Sequence, residues 1–376
     1  MDNVLFDIRN EMYKREFKLN EYACKSNMGV RKEFETDDDI RPNFFRDIDR
    51  IIHTHSYTRY MDKTQVFSQI QNDHVSRRML HVQLVSKIAR TIGRYLNLNE
   101  DLIEASSLGH DVGHVPYGHV GERILNDISL REGEGFFAHN IQSARTFMFL
   151  ENNGNGCNLT LQTLDGIMCH NGEFTQSVYE PDYKKNWDLF LEEYNNSYKD
   201  EEVLKRLRPM TLEGCVTRIS DIIGYIGRDI EDAIQMNIFS REELPESIIS
   251  ILGSNNKDIV NELILDIIKN SYGKSYISIS PRVYNALVDL KKFNYEHIYY
   301  PAITKEQRDS FEMMINKLFY TYLDDLNTNS NRTDINKFLS KMSNEYLENN
   351  NNKRKVIDYI AGMTDSFLEA QYDKLK

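Results

Sequence analysis

Paired cysteines, a long apolar run and a basic balance are all missing from this chain, and each absence removes a class of protein. Only four cysteines occur in 376 residues, Cys24, Cys157, Cys169 and Cys215, and none shares a paired spacing. A disulfide framework is therefore not expected, and a reducing compartment is the default. No uninterrupted apolar run is long enough to span a bilayer. The first residues, MDNVLFDIRNEMYKREFK, carry charges in every turn instead of the apolar core of a signal peptide. We expect a cytoplasmic protein with no membrane partner. The formal net charge of -12 argues against a general nucleic-acid coat. Local clusters decide whether a polyanion binds, and one is present: Arg46, Arg50, Arg59, Lys63, Arg77 and Arg78 outnumber their acidic neighbours. There is no internal repeat.

What the chain has instead is a spaced set of histidines and aspartates. Of its 10 histidines, His81, His110, His114, His119 and His139 fall in one short stretch whose apolar pattern is otherwise helical. From 74 to 96, Leu84, Val85, Ile88, Ile92 and Leu96 recur at helical spacing, and His81 belongs to that stripe. Asn99 is placed to cap a second helix with Glu100 and Asp101 in its first turn. That helix must end near His110-Asp111, because Gly113 loosens the chain and Pro116 disfavours helical geometry at Val115. A third helix begins near His119 and carries Glu122. AHNIQSARTFMFL reads as a helix, ENNGNGCN as a surface turn, and 159–170 as helix again. Residues 175–205 are polar and Tyr-rich, and read as an excursion from the core.

Residues 210–236 are two-sided. Ile219, Ile222, Ile223, Ile226 and Ile230 form one face, while Asp221, Tyr225, Arg228, Asp229 and Asp232 line another. Asn-rich breaks at 254–257, 327–332 and 349–352 separate further helices, and KSYISISP suits a short strand.

Each of these residues has a bland reading. One histidine on an apolar face is more often a hydrogen-bonded core residue than a ligand, and an acidic stripe is usually a solvated face. The conjunction changes the balance. Residues 110 and 111 sit where a helix terminates, so both side chains can converge on one ion. A facing helix can supply His81, and a distant helix a fourth ligand, as metal sites in helical bundles are built. Imidazole nitrogens with carboxylate oxygens suit a divalent transition metal, with no cysteine nearby to suggest structural zinc.

The run RRMLHVQLVSKIARTIGRYLNLNEDLIEASSLGHDVGHVPYGHVGE, preceded by RDIDRIIH and KTQVF, resembles the HD-domain deoxynucleoside triphosphate triphosphohydrolases, the dGTPase-like family. FFAHNIQSAR, NLTLQTLDGI and DIIGYIGRDIEDA continue the likeness in order, and LVDLKKFNYEHIYYPA more weakly. The resemblance implies an all-α fold, an HD-domain helical bundle with a C-terminal helical extension. Residues 1–55 would pack on a core of 56–240, followed by a helical region over 241–376. It implies His81, His110, Asp111 and Asp221 as metal ligands, and His119 with Glu122 as the catalytic histidine and its orienting acid. His114 matches a further active-site histidine of some relatives. Arg78 is implied on phosphate, Gln65 near the sugar, and Tyr225 with Asp229 on the deoxyribose.

The reaction so implied cleaves the bond between the α-phosphorus and the 5'-oxygen of dGTP or other dNTPs, releasing triphosphate and a deoxynucleoside. Mn, Fe, Co, Ni or Zn would suit the HD site, with Mg accompanying the triphosphate. A homo-oligomer, a tetramer or hexamer, and single-stranded DNA as a modulator are further implications. HVPYGH stands where HPPFGH is usual and RRMLHVQ where RLTHSLE is commoner, changes that spare the ligands but bear on metal choice. Two other readings compete: another HD-type nucleotidase or phosphodiesterase, and a silent dNTP- or nucleic-acid-binding protein.

Overall fold

Val82, Val85, Ala89, Ile92 and Leu96 recur every three or four residues, so a helix over them buries one continuous stripe. In the computed structural model, which describes residues 3–36, 39–67, 76–171 and 176–375, that helix is Arg78–Leu96, closed by Asn97 in the left-handed conformation. It starts at Arg78 and not at 74. Arg77 is extended and pairs with Thr64 in an isolated antiparallel bridge, while residues 74 and 75 lie outside the described residues. The next helix, Glu100–Gly109, begins where Asn99 Oδ1 accepts from the backbone N–H groups of Asp101 and Leu102. Both pack on the 24-residue helix Leu212–Gln235, whose predicted isoleucine face is buried throughout. The close approach needs Gly224, where a Cβ would stand 2.7 Å from Val85 Cγ2.

Regular structure among the described residues is almost all helix. The short strand Ile277–Ser278 pairs antiparallel with Val178–Tyr179, with Val178 opposite Ser278. Among the described residues three large apolar cores are accompanied by a small one of Cys24, Phe44 and Leu102. The first joins the Arg78–Leu96 and Leu212–Gln235 helices to Asn256–Ser271 and Pro281–Asn294. A second lies between Gly118–Arg131 and the C-terminal helices Lys305–Thr328 and Asn352–Ala361. The third gathers Asn43–Ile52, Glu100–Gly109, His139–Arg145 and Leu161–Met168.

The supposed excursion at 175–205, described from residue 176 onward, joins this third core. In the helix Trp187–Asn196, Phe190 is fully buried and Tyr194 nearly so, and the buried Lys185 donates to Asp165 Oδ1 at 2.9 Å. Its polar composition hid a sparse apolar face that is nonetheless complete.

The basic cluster is also redistributed. Arg46 and Arg50 both pair with Glu35 at 3.4 and 2.8 Å, and Arg59 lies 3.7 Å from Glu151. Lys63 is buried and donates to the carbonyls of Val112, His114 and Ala361. Only Arg77 stays exposed without belonging to such a pair among the described residues, so no contiguous basic surface results. No helix of the described residues is long and apolar enough to cross a membrane, and all four cysteines are free.

Candidate active site

The Glu100–Gly109 helix ends in a turn that carries His110 and Asp111 out of the helical ladder and buries both. Gly113 lets this turn lie flat on the next layer. A Cβ there would meet His139 O and Ser143 N at 2.3 Å each, and its own N–H donates to Ser143 Oγ at 2.9 Å. Lys63 holds the turn from the other side through the carbonyls just described. Asp365, at the start of a C-terminal helix, adds a further brace: its carboxylate accepts from Thr64 N at 3.1 Å and Tyr117 N at 3.0 Å.

Onto this rigid turn the facing helices bring His81 and Asp221. His81 Nε2 lies 3.0 Å from Asp221 Oδ1 and 3.7 Å from Asp111 Oδ2. His110 Nε2 lies 3.5 Å from both Asp221 Oδ1 and Asp111 Oδ1. The structure therefore gathers all four of the expected ligand residues. His110 Nδ1 meets Ser107 O at 2.7 Å, so it carries the proton and the ring presents an unshared pair at Nε2. That nitrogen is buried and has no hydrogen-bond partner among the described residues, yet it faces two carboxylates. A cation resolves the repulsion. Nε2 is thus a cation-seeking position: burial opposes charging the ring, but Asp111 and Asp221 outweigh it and would keep a proton there up to about 9, in the place a metal ion would take. Burial likewise opposes ionisation of Asp221, while His110 and His81 pull its carboxyl well below the usual range. Donor atoms 3.0–3.7 Å apart match the roughly 3.3 Å expected between tetrahedral ligands at bond lengths of ~2.0–2.1 Å. The donor set and its spacing fit a divalent metal.

Beside this group, His119 sits at the start of the Gly118–Arg131 helix with its side chain 72% exposed, and its Nδ1 lies 3.1 Å from Glu122 Oε2. Glu122 is more deeply engaged than the sequence suggests. Its Oε1 accepts from His139 N at 2.7 Å and from His139 Nδ1 at 2.8 Å. Burial would raise its carboxyl, but His139, His119 and His114 hold it well below the ordinary value. His114 is buried and stacked on His139, ring centroids 3.8 Å apart. Its Nε2 stands 3.3 Å from Asp111 Oδ1.

The expected substrate contacts are placed less uniformly. Arg78 is buried, with one guanidinium nitrogen on Asp111 Oδ2 and the other donating to Thr64 O at 3.1 Å. Gln65 is half-buried, and its Oε1 has no hydrogen-bond partner among the described residues. Tyr225 is half-buried one turn beyond Asp221. Asp229 is buried and accepts from Tyr299 O–H at 2.8 Å. Burial pushes the Asp229 carboxyl up to about 7, against the lowering by Tyr299.

Five residues near the site were not singled out from the sequence in these roles: Lys63, His139, His170, Tyr299 and Asp365. His170 had a usable signal. Like His110 it lies just past the end of a buried helix, here two residues beyond Met168, and its Nδ1 meets a carbonyl three residues back, Ile167 O at 2.7 Å.

An all-helical bundle that converges histidines and aspartates on one buried point defines a metal-dependent hydrolase of the HD class. Residues 78–225 match the HD domain, and residues 277–374 match the phosphohydrolase-associated domain. The chain belongs to the deoxyguanosinetriphosphate triphosphohydrolase-like family. It is 36% identical over 373 residues to a protein so named in Caldanaerobacter subterraneus subsp. tengcongensis, covering 98% of this chain and 95% of that one. A Clostridium perfringens protein of the same name is 35% identical over 95% of this chain and 94% of its own length. Another from Desulfatibacillum aliphaticivorans is 32% identical, covering 98% and 97%.

Proposed function

We propose that this protein hydrolyses deoxynucleoside triphosphates, dGTP among them, to a deoxynucleoside and inorganic triphosphate. The observation that carries the reading is the pairing of two groups at one place. His81, His110, Asp111 and the half-buried Asp221 would hold a divalent transition metal, and His119, backed by Glu122, lies beside them with its ring 5.1 Å from that of His114. The metal, drawn from Mn, Fe, Co, Ni or Zn by its nitrogen and oxygen donors, would activate water and neutralise charge on the α-phosphate.

The protein's own residues then divide the remaining work. Water oxygen bonds to the α-phosphorus as the bond from phosphorus to O5' breaks and leaves its electron pair on O5'. His119 Nδ1 is committed to Glu122, so Nε2 is the nitrogen that delivers a proton to O5'. The proton lost by water restores the histidine through solvent, and the net reaction consumes one water. Arg78, anchored by Asp111 and Thr64, would present the edge of a planar cation to phosphate oxygens. Tyr225 beneath the sugar would leave little room for a 2'-hydroxyl, and Asp229 would hold the 3'-hydroxyl.

The test is separation of the products formed from each dNTP with added Mn(II). Triphosphate and deoxynucleoside, both lost in His119→Ala and after chelation, are the expected result. Orthophosphate or a nucleoside monophosphate would place the chain in another hydrolase class.

A further inference from the structure

The His119 side chain does little to hold itself in place. It is 72% exposed, and its bond to Glu122 at 3.1 Å orients the ring without setting where the helix start carries it. That place depends on Tyr117 and Gly118, two successive residues in the left-handed conformation with φ of 62° and 55°. A Cβ disfavours this conformation, and Tyr117, the cap of the Gly118–Arg131 helix, makes no side-chain capping bond that would compensate. The C-terminal helices Lys305–Thr328 and Asp365–Asp373 supply the restraint. The buried Tyr117 ring stacks on Phe311 with centroids 3.8 Å apart, and its O–H donates to Glu369 at 3.3 Å. Its N–H donates to Asp365 Oδ1 at 3.0 Å. The other oxygen of that carboxylate, Oδ2, accepts from Thr64 N at 3.1 Å and from Thr64 Oγ1. Thr64 is also the residue whose carbonyl accepts from Arg78 and whose backbone pairs with Arg77. One carboxylate therefore spans the segment that anchors Arg78 and the strained turn that leads into His119.

We infer that Asp365 is a positioning residue for the reaction: it holds the turn at Tyr117 against the Arg78 anchor and so sets His119 where it can deliver a proton to O5'. It acts through Tyr117 and not on the reacting atoms. Asparagine at this position is a selective probe. Its single accepting oxygen stays with the two donors of Thr64, and its NH2 group then faces Tyr117 N–H, donor against donor. The inference rests on the reading of His119 as the proton donor.

A double-mutant cycle on the full chain tests this, read as kcat for dGTP with added Mn(II). A catalytic group misplaced by roughly 1 Å can cost ~10²-fold, so Asp365→Asn should lower kcat on the order of 100-fold with KM little changed. In a His119→Ala background the same substitution should lower the residual rate by less than about 3-fold, because the group it positions is gone. Circular dichroism and Mn(II) affinity should match the wild type. Should Asp365→Asn not fold, Asp365→Glu keeps both accepting oxygens but displaces them by one methylene, and should lose about 10-fold only where His119 is present. An equal loss in both backgrounds would give Asp365 a purely structural role and overturn the inference, as would an undiminished kcat. If His119→Ala left dGTP hydrolysis intact, the proton-donor reading itself would fall, and the inference with it.

Discussion

Glu213 offers a quantitative test of how the site is supported. It lies in the first turn of the helix that carries Asp221, is fully buried, and accepts from Cys24 N and Asn99 N at 3.0 Å each through one oxygen. It thereby ties the N-terminal segment and the cap of the HD helix to the Asp221 helix. Its other oxygen has no partner among the described residues. Burial pushes the carboxyl from 4.5 up to about 7, with the backbone donors working in the opposite direction. A folded-state value raised above the unfolded one means the folded state holds the proton more tightly. The contribution to stability is full below pH 4.5 and is lost as pH rises through 7. At ~1.36 kcal/mol for each pH unit of separation, the loss is roughly 3 kcal/mol, a large share of a typical ~5–15 kcal/mol. Glu213→Gln keeps the accepting oxygen and removes the charge. In urea denaturation the variant should match the wild type near pH 4.5 and exceed it by roughly 3 kcal/mol at pH 8. Parallel curves across that interval would refute the argument.

Other substitutions test the site more locally. Arg78→Lys keeps a charge but cannot hold Asp111 and Thr64 O together, and losing one charge-assisted bond of ~1.5–3 kcal/mol should lower kcat/KM for dNTPs on the order of 10- to 100-fold. An unchanged kcat/KM would remove Arg78 from the phosphate contact. Tyr225→Ala should raise hydrolysis of ribonucleoside triphosphates relative to their deoxy counterparts, and an unaltered ratio would show that the ring does not read the sugar. Asp365→Ala strips the acceptor from Thr64 N and Tyr117 N, which at ~1–3 kcal/mol for each buried donor should cost about 2–5 kcal/mol in urea titration. A cost below about 0.5 kcal/mol would mean that the C-terminal helix does not brace the HD turn.

What could be read in the sequence was what local rules control. The Asn99 cap, the stop at Gly109 and the isoleucine face of the Asp221 helix follow from capping, Gly and Pro chemistry and periodicity, and each is present. The start at Arg78 was misplaced because the Thr64–Arg77 bridge, a long-range pairing, takes residue 77 away from a helix its own periodicity favours. The 175–205 segment was misjudged because two aromatics, Phe190 and Tyr194, outweigh a polar majority once Phe149 and the third core are beside them.

At the site, family likeness marked Glu122 as a partner of His119, whereas only packing shows His139 as its closer one, since a helix start 17 residues away has no sequence reason to meet it. Lys63 shows the same limit from the other direction. A lysine among arginines reads as surface charge, but three carbonyls of distant segments, Val112, His114 and Ala361, draw it inside. Asp365 and Tyr299 come from the C-terminal third and reach the site through contacts that no spacing encodes.

Hydrolysis in water enriched in oxygen-18 tests the central claim most directly. With a dNTP and Mn(II), mass spectrometry should find one heavy oxygen in the released triphosphate and none in the deoxynucleoside, as attack at the α-phosphorus requires. Label in the nucleoside hydroxyl would mean cleavage on the carbon side of O5', and label in orthophosphate or a nucleoside monophosphate would mean attack elsewhere on the chain; either result contradicts the account.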